Sequence, residues 1–353
     1  MLFPTDYVDA RDRFRALASH AGFEIESYDH PVAKGPKGET LSCDVARLGP
    51  SDAKRVILIS SGTHGVEGFC GSGCQAELLA SGLLNGLPCD TAAVLVHAVN
   101  PYGFAWLRRT NEDNIDLNRN FVDFSVPHAN PEYDEIHDWL VPSDWDGPAR
   151  TAADASIDAY IADRGLRAFQ VAMTGGQYNH PDGLFYGGKA PAWSNLTWRS
   201  LLRKHCASAD QVIAIDIHTG LGPRGVGEAI CVTSEAEYLK AKALFGEEVT
   251  WTGGGEAVSA QVGGSLLHAA HEEIGTERLV MIALEYGTYP IPETLEALRA
   301  ETWLVARGDP ESEQASKIKQ SLKDAFFIDE PDWKLAVTTR FLDLVRKVKG
   351  SIS

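Results

Sequence analysis

The sequence is short of positive charge. Thirty-two lysines and arginines stand against 49 aspartates and glutamates, a formal net charge of −17 over 353 residues. No basic cluster runs beyond a few residues, which argues against nucleic acid as a partner. Long hydrophobic runs are missing as well. No stretch approaches the ~18 apolar residues of a membrane span, so no membrane association is expected. The opening "MLFPTDYVDARDRF" lacks a basic segment followed by an apolar one and does not have the pattern of a secretory signal. Cysteine is sparse: six residues, at 43, 70, 74, 89, 206 and 231, with no CxxC pair. A chain of this length needs no disulfide staples, so reduced and mostly buried thiols in a cytoplasmic protein are expected. There is no internal repeat and no low-complexity tract. The absence of a G-x-S-x-G elbow argues against an α/β-hydrolase. The glycines of "GEAVSAQVGGS" lack the strand-to-helix setting of a phosphate loop.

What is present is apolar and regularly punctuated. Apolar residues make up 44% of the chain, ample for a buried core. "RVILISSG", "TAAVLVHAVNPYG", "QVIAIDIHTGLG", "EAICVTS" and "RLVMIALEYGTY" have the composition of strands, the first covered on both faces. "SYDHPVAKGPKGETLSCDVARLG" alternates around turn residues and predicts a hairpin. Helical patterns cover 5–21, "EGFCGSGCQAELLASGLL", "AADASIDAYIADRG" and "PAWSNLTWRSLLRKHC". "LRAFQVAMTGG" is expected as a strand, and 122–150, rich in proline and acid, as a long surface excursion that could hold short helical turns. Helices are expected again at "PETLEALRAETWLVARG" and over 311–349. The economical reading is one α/β domain over 1–353, with a mixed, mostly parallel central sheet flanked by helices and carrying insertions.

Unusual polar residues cluster at the predicted strand ends. His64 and Glu67 follow the strand ending near Ser60, and His218 closes "VIAIDIH". Glu285 closes "VMIALE", while Arg109, Asn118 and Arg119 follow the strand ending near Asn100. Open α/β sheets bind ligands just outside the carboxyl ends of their strands. His64, Glu67 and His218 form a two-histidine, one-carboxylate set of the kind that holds catalytic zinc and leaves a position for water. Gly62 and Gly65 allow the tight turn such convergence needs. Asp216, two residues before His218, falls on the same strand face and could fix the imidazole tautomer. Glu285 is then a spare carboxylate suited to general base work. The arginines of "RRTNEDNIDLNRNF" could clamp a carboxylate or stabilise an oxyanion. Taken singly each has a bland reading: HxxE arises by chance, strand-end histidines are commonly core residues, and a loop arginine is commonly solvated. Cys70 and Cys74, four apart after Glu67, are expected as small buried thiols, and His268 and His271 as solvated or capping residues.

In order, "HGVE", "NPYGF", "RTNEDNIDLNRNF", "DIHTG" and "LEYGTY" resemble the zinc carboxypeptidase superfamily, which includes the aspartoacylase and succinylglutamate desuccinylase branch. The likeness spans about residues 55–290, and "GQYNHPDGLFYGG" is similar to a segment of a bacterial branch of that superfamily. The resemblance implies one zinc per chain on His64, Glu67 and His218. It implies Asn118 and Arg119 on the substrate's terminal carboxylate, and Arg109, with Arg108 as its alternative, polarising the scissile carbonyl. It implies Glu285 as general base and proton shuttle. True carboxypeptidases carry a mobile tyrosine between the last histidine and the base; here only Tyr238 lies in that interval. The long interval from Arg119 to His218 offers Tyr178 and His180 as pocket-lining candidates. The expected activity is hydrolysis of an amide bond next to a free carboxylate, on a peptide C-terminus. The alternatives are deacylation of a small N-acyl amino acid and a catalytically inactive module that binds metal or carboxylate.

Overall fold

The computed structural model describes residues 1–352. Eight strands form one sheet: β1 (Glu24–Lys34), β2 (Thr40–Leu48), β3 (Arg55–Ser61), β4 (Thr91–His97), β5 (Gln211–Arg224), β6 (Gly227–Cys231), β7 (Thr250–Trp251) and β8 (Leu279–Gly287). Their spatial order is β1-β2-β4-β3-β5-β8-β6-β7. The central run β4-β3-β5-β8 is parallel, as is the β6–β7 pair. The β1–β2, β2–β4 and β8–β6 pairs are antiparallel. The chain is thus mixed, mostly parallel α/β, as the strand pattern predicts.

The sheet is covered on both sides because its central strands are apolar on both sides. In β3, Ile57 and Ile59 join one core cluster while Val56 and Leu58 join the other, the two-residue period of a strand. The first cluster takes Phe14 from the helix Tyr7–His20, Phe69 and Leu78 from Gly68–Ser81, and Phe341 from Pro331–Ser351. The second takes Trp198 and Leu201 from the helix Trp193–Cys206 and Leu267 from Leu266–Ile274. Among the described residues no helix is long and apolar enough to cross a membrane.

Two segments are more helical than expected, each for a physical reason. Residues 122–150 contain the helix Pro131–Leu140 and the start of Pro148–Arg164. Their prolines stand at the first helical positions, where the missing N–H costs nothing and the fixed φ suits the helix. The segment expected as a strand from Leu166 is the helix Leu166–Thr174. Its buried residues Phe169, Ala172 and Met173 are spaced three and four apart, while Leu166 and Val171 are exposed; that is a helical stripe. These helices and Ile291–Arg307 share a third apolar cluster around Tyr133, Phe169 and Trp303.

Candidate metal and substrate site

At the end of β3 the chain turns through Gly62, whose φ of +67° is costly for other residues. It then packs against the segment after β4. Gly65 donates its N–H to the Arg109 carbonyl at 3.2 Å, and Val66 donates to that of Arg108 at 2.9 Å. A methyl group on Gly65 would lie 1.9 Å from the Gly103 carbonyl carbon. This close approach brings His64, Glu67 and Arg109 together. On the other side, β5 pairs with β8 so that His218 stands opposite Glu285.

His64 Nδ1 lies 2.8 Å from Glu67 Oε1, and His218 Nδ1 lies 3.0 Å from Glu67 Oε2. Candidate ligand atoms of the three residues all fall within 4.8 Å of one another, and all three side chains are buried. Behind each ring stands a second carboxylate: Asp216 Oδ2 at 2.6 Å from His218 Nε2, and Asp116 Oδ1 at 3.2 Å from His64 Nε2. Asp216 is itself held by the hydroxyls of Ser60 and Thr63. A proton kept on His218 Nε2 by Asp216 leaves its Nδ1 for an ion, the tautomer a ligand needs. At His64 the same nitrogen faces both Asp116, which accepts, and Arg109 Nη2 at 2.9 Å, which only donates, so these neighbours do not fix that ring's tautomer.

The charge count points the same way. Glu67, Asp116, Asp216 and Glu285 are buried carboxylates, Arg119 is a buried guanidinium beside them and Arg109 a half-buried one. Carboxyl groups outnumber guanidiniums here, a setting that suits a cation. Burial works against charge on Glu67, but the two imidazoles outweigh it and hold the carboxyl well below the usual range. Burial, then the negative charge of Glu67, push Glu285 up to about 7. The donor set fits a zinc-class ion in its geometry and its donor types.

Arg109 is fixed by Asp116 Oδ2 at 3.0 Å and Glu67 Oε1 at 3.3 Å. Arg119 donates from Nε and Nη2 to the Thr174 carbonyl, at 3.0 and 2.6 Å, and from Nη1 to the Asn118 carbonyl at 2.9 Å. A guanidinium has five N–H groups. Three are used, and one remains on each of Nη1 and Nη2, the pair that grips a carboxylate with two parallel bonds. Asn118 Oδ1 accepts from the Leu266 N–H at 3.0 Å, which turns the amide but leaves its NH₂ to donate.

A cavity of about 220 Å³ is lined by His64, Glu67, Arg109, Asn118, Arg119, His218 and Glu285 together. Its wall is apolar: Met173, Val258, Leu295, Leu298 and Phe326. Tyr178 and His180 do not line it. Tyr178 donates its hydroxyl to the Arg119 carbonyl at 2.7 Å, bracing that residue from behind, and His180 pairs with Asp134 at 2.8 Å. Arg108 is committed elsewhere, to Glu301 at 2.7 Å and Asn114 at 2.7 Å. No tyrosine stands among the described residues that line the cavity. Sequence reasoning missed Asp116, whose signal is its place two residues before Asn118, and Phe185, whose ring lies 5.4 Å from the Arg109 guanidinium and 5.3 Å from that of Arg119. Cys70 and Cys74 are free and buried. His268 accepts or donates at Ser265 Oγ, 2.7 Å away, at the start of its helix.

Fold and site together define an α/β protein with a buried two-histidine, one-carboxylate ligand set at the carboxyl edge of its parallel strands. The chain belongs to the family described as protein of unknown function DUF2817, whose model matches residues 3–340. No curated protein matches it. Among solved structures it is similar to the carboxypeptidase A of Helicoverpa armigera, at 12% identity over 91% of this chain and 74% of that one, with a TM-score of 0.46. Bovine thrombin-activatable fibrinolysis inhibitor, in complex with tick carboxypeptidase inhibitor, is similar at 12% identity over 91% and 96%, with a TM-score of 0.45. A protein of Shewanella frigidimarina NCIMB 400, provisionally named a succinylglutamate desuccinylase/aspartoacylase, is similar at 16% identity over 86% and 69%, with a TM-score of 0.40.

Proposed function

We propose that the chain is a cytoplasmic, zinc-dependent hydrolase of carboxypeptidase type, cleaving an amide bond next to a free carboxylate. The observation that carries this reading is the pair of imidazole Nδ1 atoms turned onto the two oxygens of Glu67, each ring backed by its own carboxylate. When bound there, a zinc ion supplies Lewis acidity toward the scissile carbonyl and lowers the pKa of water toward ~7. The substrate carboxylate is received by the two unused N–H groups of Arg119 and the free amide of Asn118. This fixes the scissile carbonyl near Arg109, whose guanidinium is preset by Asp116 and meets the developing oxyanion. Glu285 accepts the proton of the attacking water and returns it to the leaving amine. The Leu221 N–H, donating to Glu285 Oε1 at 3.0 Å, orients that carboxylate. The apolar wall favours a terminal residue with an apolar side chain. Six unpaired cysteines support the cytoplasmic assignment.

The same wall could receive an acyl chain, and this supports a second reading, a deacylase of small N-acyl amino acids. Peptides and N-acyl amino acids of matched side chain, assayed side by side, separate the two. The common mechanism is tested by Glu285→Gln, which should lower kcat by about 10²–10⁴-fold while zinc content stays at the wild-type level. Wild-type turnover in that variant would remove Glu285 as the general base and with it the mechanism proposed here.

A further inference from the structure

A second group of metal-ligating side chains lies where the helix Pro131–Leu140 meets the loop after Leu166–Thr174. His137, His180 and Asp182 each offer a ligand atom, and those atoms lie within 4.8 Å of one another. The two imidazoles stack with centroids 3.9 Å apart. Asp182 Oδ1 stands 3.5 Å from His137 Nε2, while Arg307 holds the other oxygen at 3.4 Å. Asp134, one helical turn before His137, places Oδ1 2.8 Å from His180 Nε2.

The loop beneath these side chains is held in place from inside. Asn114 Nδ2 donates to the carbonyls of Pro181 and Gly183, both at 3.0 Å. Gln177 Nε2 donates to the carbonyls of His180 and Leu184, at 2.7 and 3.2 Å, and its Oε1 accepts from the His180 N–H at 2.8 Å. Four loop carbonyls that would ordinarily face water are thus fixed by two buried amides. His137 is 6% exposed, and its Nδ1 has no hydrogen-bond partner. A buried imidazole with an unpaired nitrogen is an uncompensated cost unless another group uses the ring.

We propose that His137, His180 and Asp182 form a second cation site, selective for divalent transition ions of the zinc class, with Asp134 orienting His180. Two imidazole nitrogens and one carboxylate oxygen favour such ions over magnesium or calcium. The ion ties the loop to the helix. That loop runs on to Phe185, whose ring faces the guanidiniums of Arg109 and Arg119. Occupancy of this site therefore steadies one wall of the substrate cavity. The proposal does not depend on the hydrolase reading.

The test is calorimetric titration of the tag-free, chelator-treated full chain with Zn²⁺, and with Co²⁺ as a spectroscopic probe, with circular dichroism to verify folding. The wild type should take up two ions per chain. His180→Ala should take up one, and a His64→Ala/His218→Ala double variant should also keep one. Asp134→Asn should weaken the second ion by about tenfold. A wild-type stoichiometry of one that survives the double substitution and is lost in His180→Ala supports this site and counts against the first. Uptake in His180→Ala equal to that of the wild type overturns the proposal, as does complete loss in a folded double variant. Should the double variant not fold, the wild-type and His180→Ala stoichiometries decide alone, because His180 is half-exposed.

Discussion

Asp216 does not line the cavity, yet it holds the His218 imidazole that does. Its carboxylate accepts from two hydroxyls and stands 2.6 Å from His218 Nε2. Asp216→Asn keeps the shape and removes the charge that fixes the tautomer. Zinc affinity should fall by about 10–100-fold, read by competition with a chelator of known affinity. Arg119→Lys tests the other end of the site. A lysine is a point charge and cannot make two parallel bonds to a carboxylate. KM should rise about tenfold with kcat little changed, as loss of uniform substrate binding requires. At this scale the sequence is informative wherever spacing constrains direction. Asp216 is legible because it lies two before His218 on a strand. The grip of Arg119 on the Thr174 carbonyl is not legible, since its partner is 55 residues away and is a backbone atom. The same holds for Phe185, which reaches the arginines from a loop without period.

Strands and loops divide the work of building the site. The four central parallel strands aim their carboxyl ends at one edge, so His64, His218 and Glu285 could be assigned to it from apolar runs alone. Of the helical layer around Tyr133 and Trp303, the helix Pro131–Leu140 escaped because its proline resembles a loop breaker until its first-turn position is known. The short apolar run at Leu166–Thr174 is ambiguous between helix and strand until its buried stripe is seen. The turn at Gly65 is the element on which convergence rests. Gly65→Ala puts a methyl group into the backbone at Gly103, and this contact cannot be relieved by moving a side chain. Overpacking of this kind costs about 1–3 kcal/mol, and the strain falls between the two proposed ligands His64 and Glu67. The variant should show both a lower denaturation midpoint and weakened zinc uptake; loss of stability with unchanged affinity would mean that the turn does not set the ligand geometry.

Across the whole molecule, one buried histidine ties stability to pH. His97 ends β4, stacks on Phe14 at 4.6 Å and sits 3.0 Å from Ser72 Oγ. Burial, with help from Arg11 and against the pull of Asp44, lowers its pKa to about 4 from the ordinary 6.5. Above pH 6.5 the ring is neutral folded or unfolded, and its contribution is fully present. Below that, the unfolded chain binds a proton that the folded ring refuses until about pH 4. The stability lost over this window is on the order of 3 kcal/mol. Urea denaturation at pH 7 and pH 5 should show the wild type losing about 2 kcal/mol more than His97→Gln.

The strand order also bears on how the chain is made. Four strands, β1 to β4, are complete once His97 has been synthesised, and they are neighbours at one end of the sheet. Yet β3, apolar on both faces, has one free edge until β5 begins at Gln211. At the usual pace of translation the hundred-odd intervening residues take roughly 10 s. Throughout that time a nascent chain exposes the middle of its future sheet as a sticky border. Expression yield should therefore depend on co-translational chaperones more than the finished fold suggests, and on codon choice between residues 98 and 210 more than elsewhere.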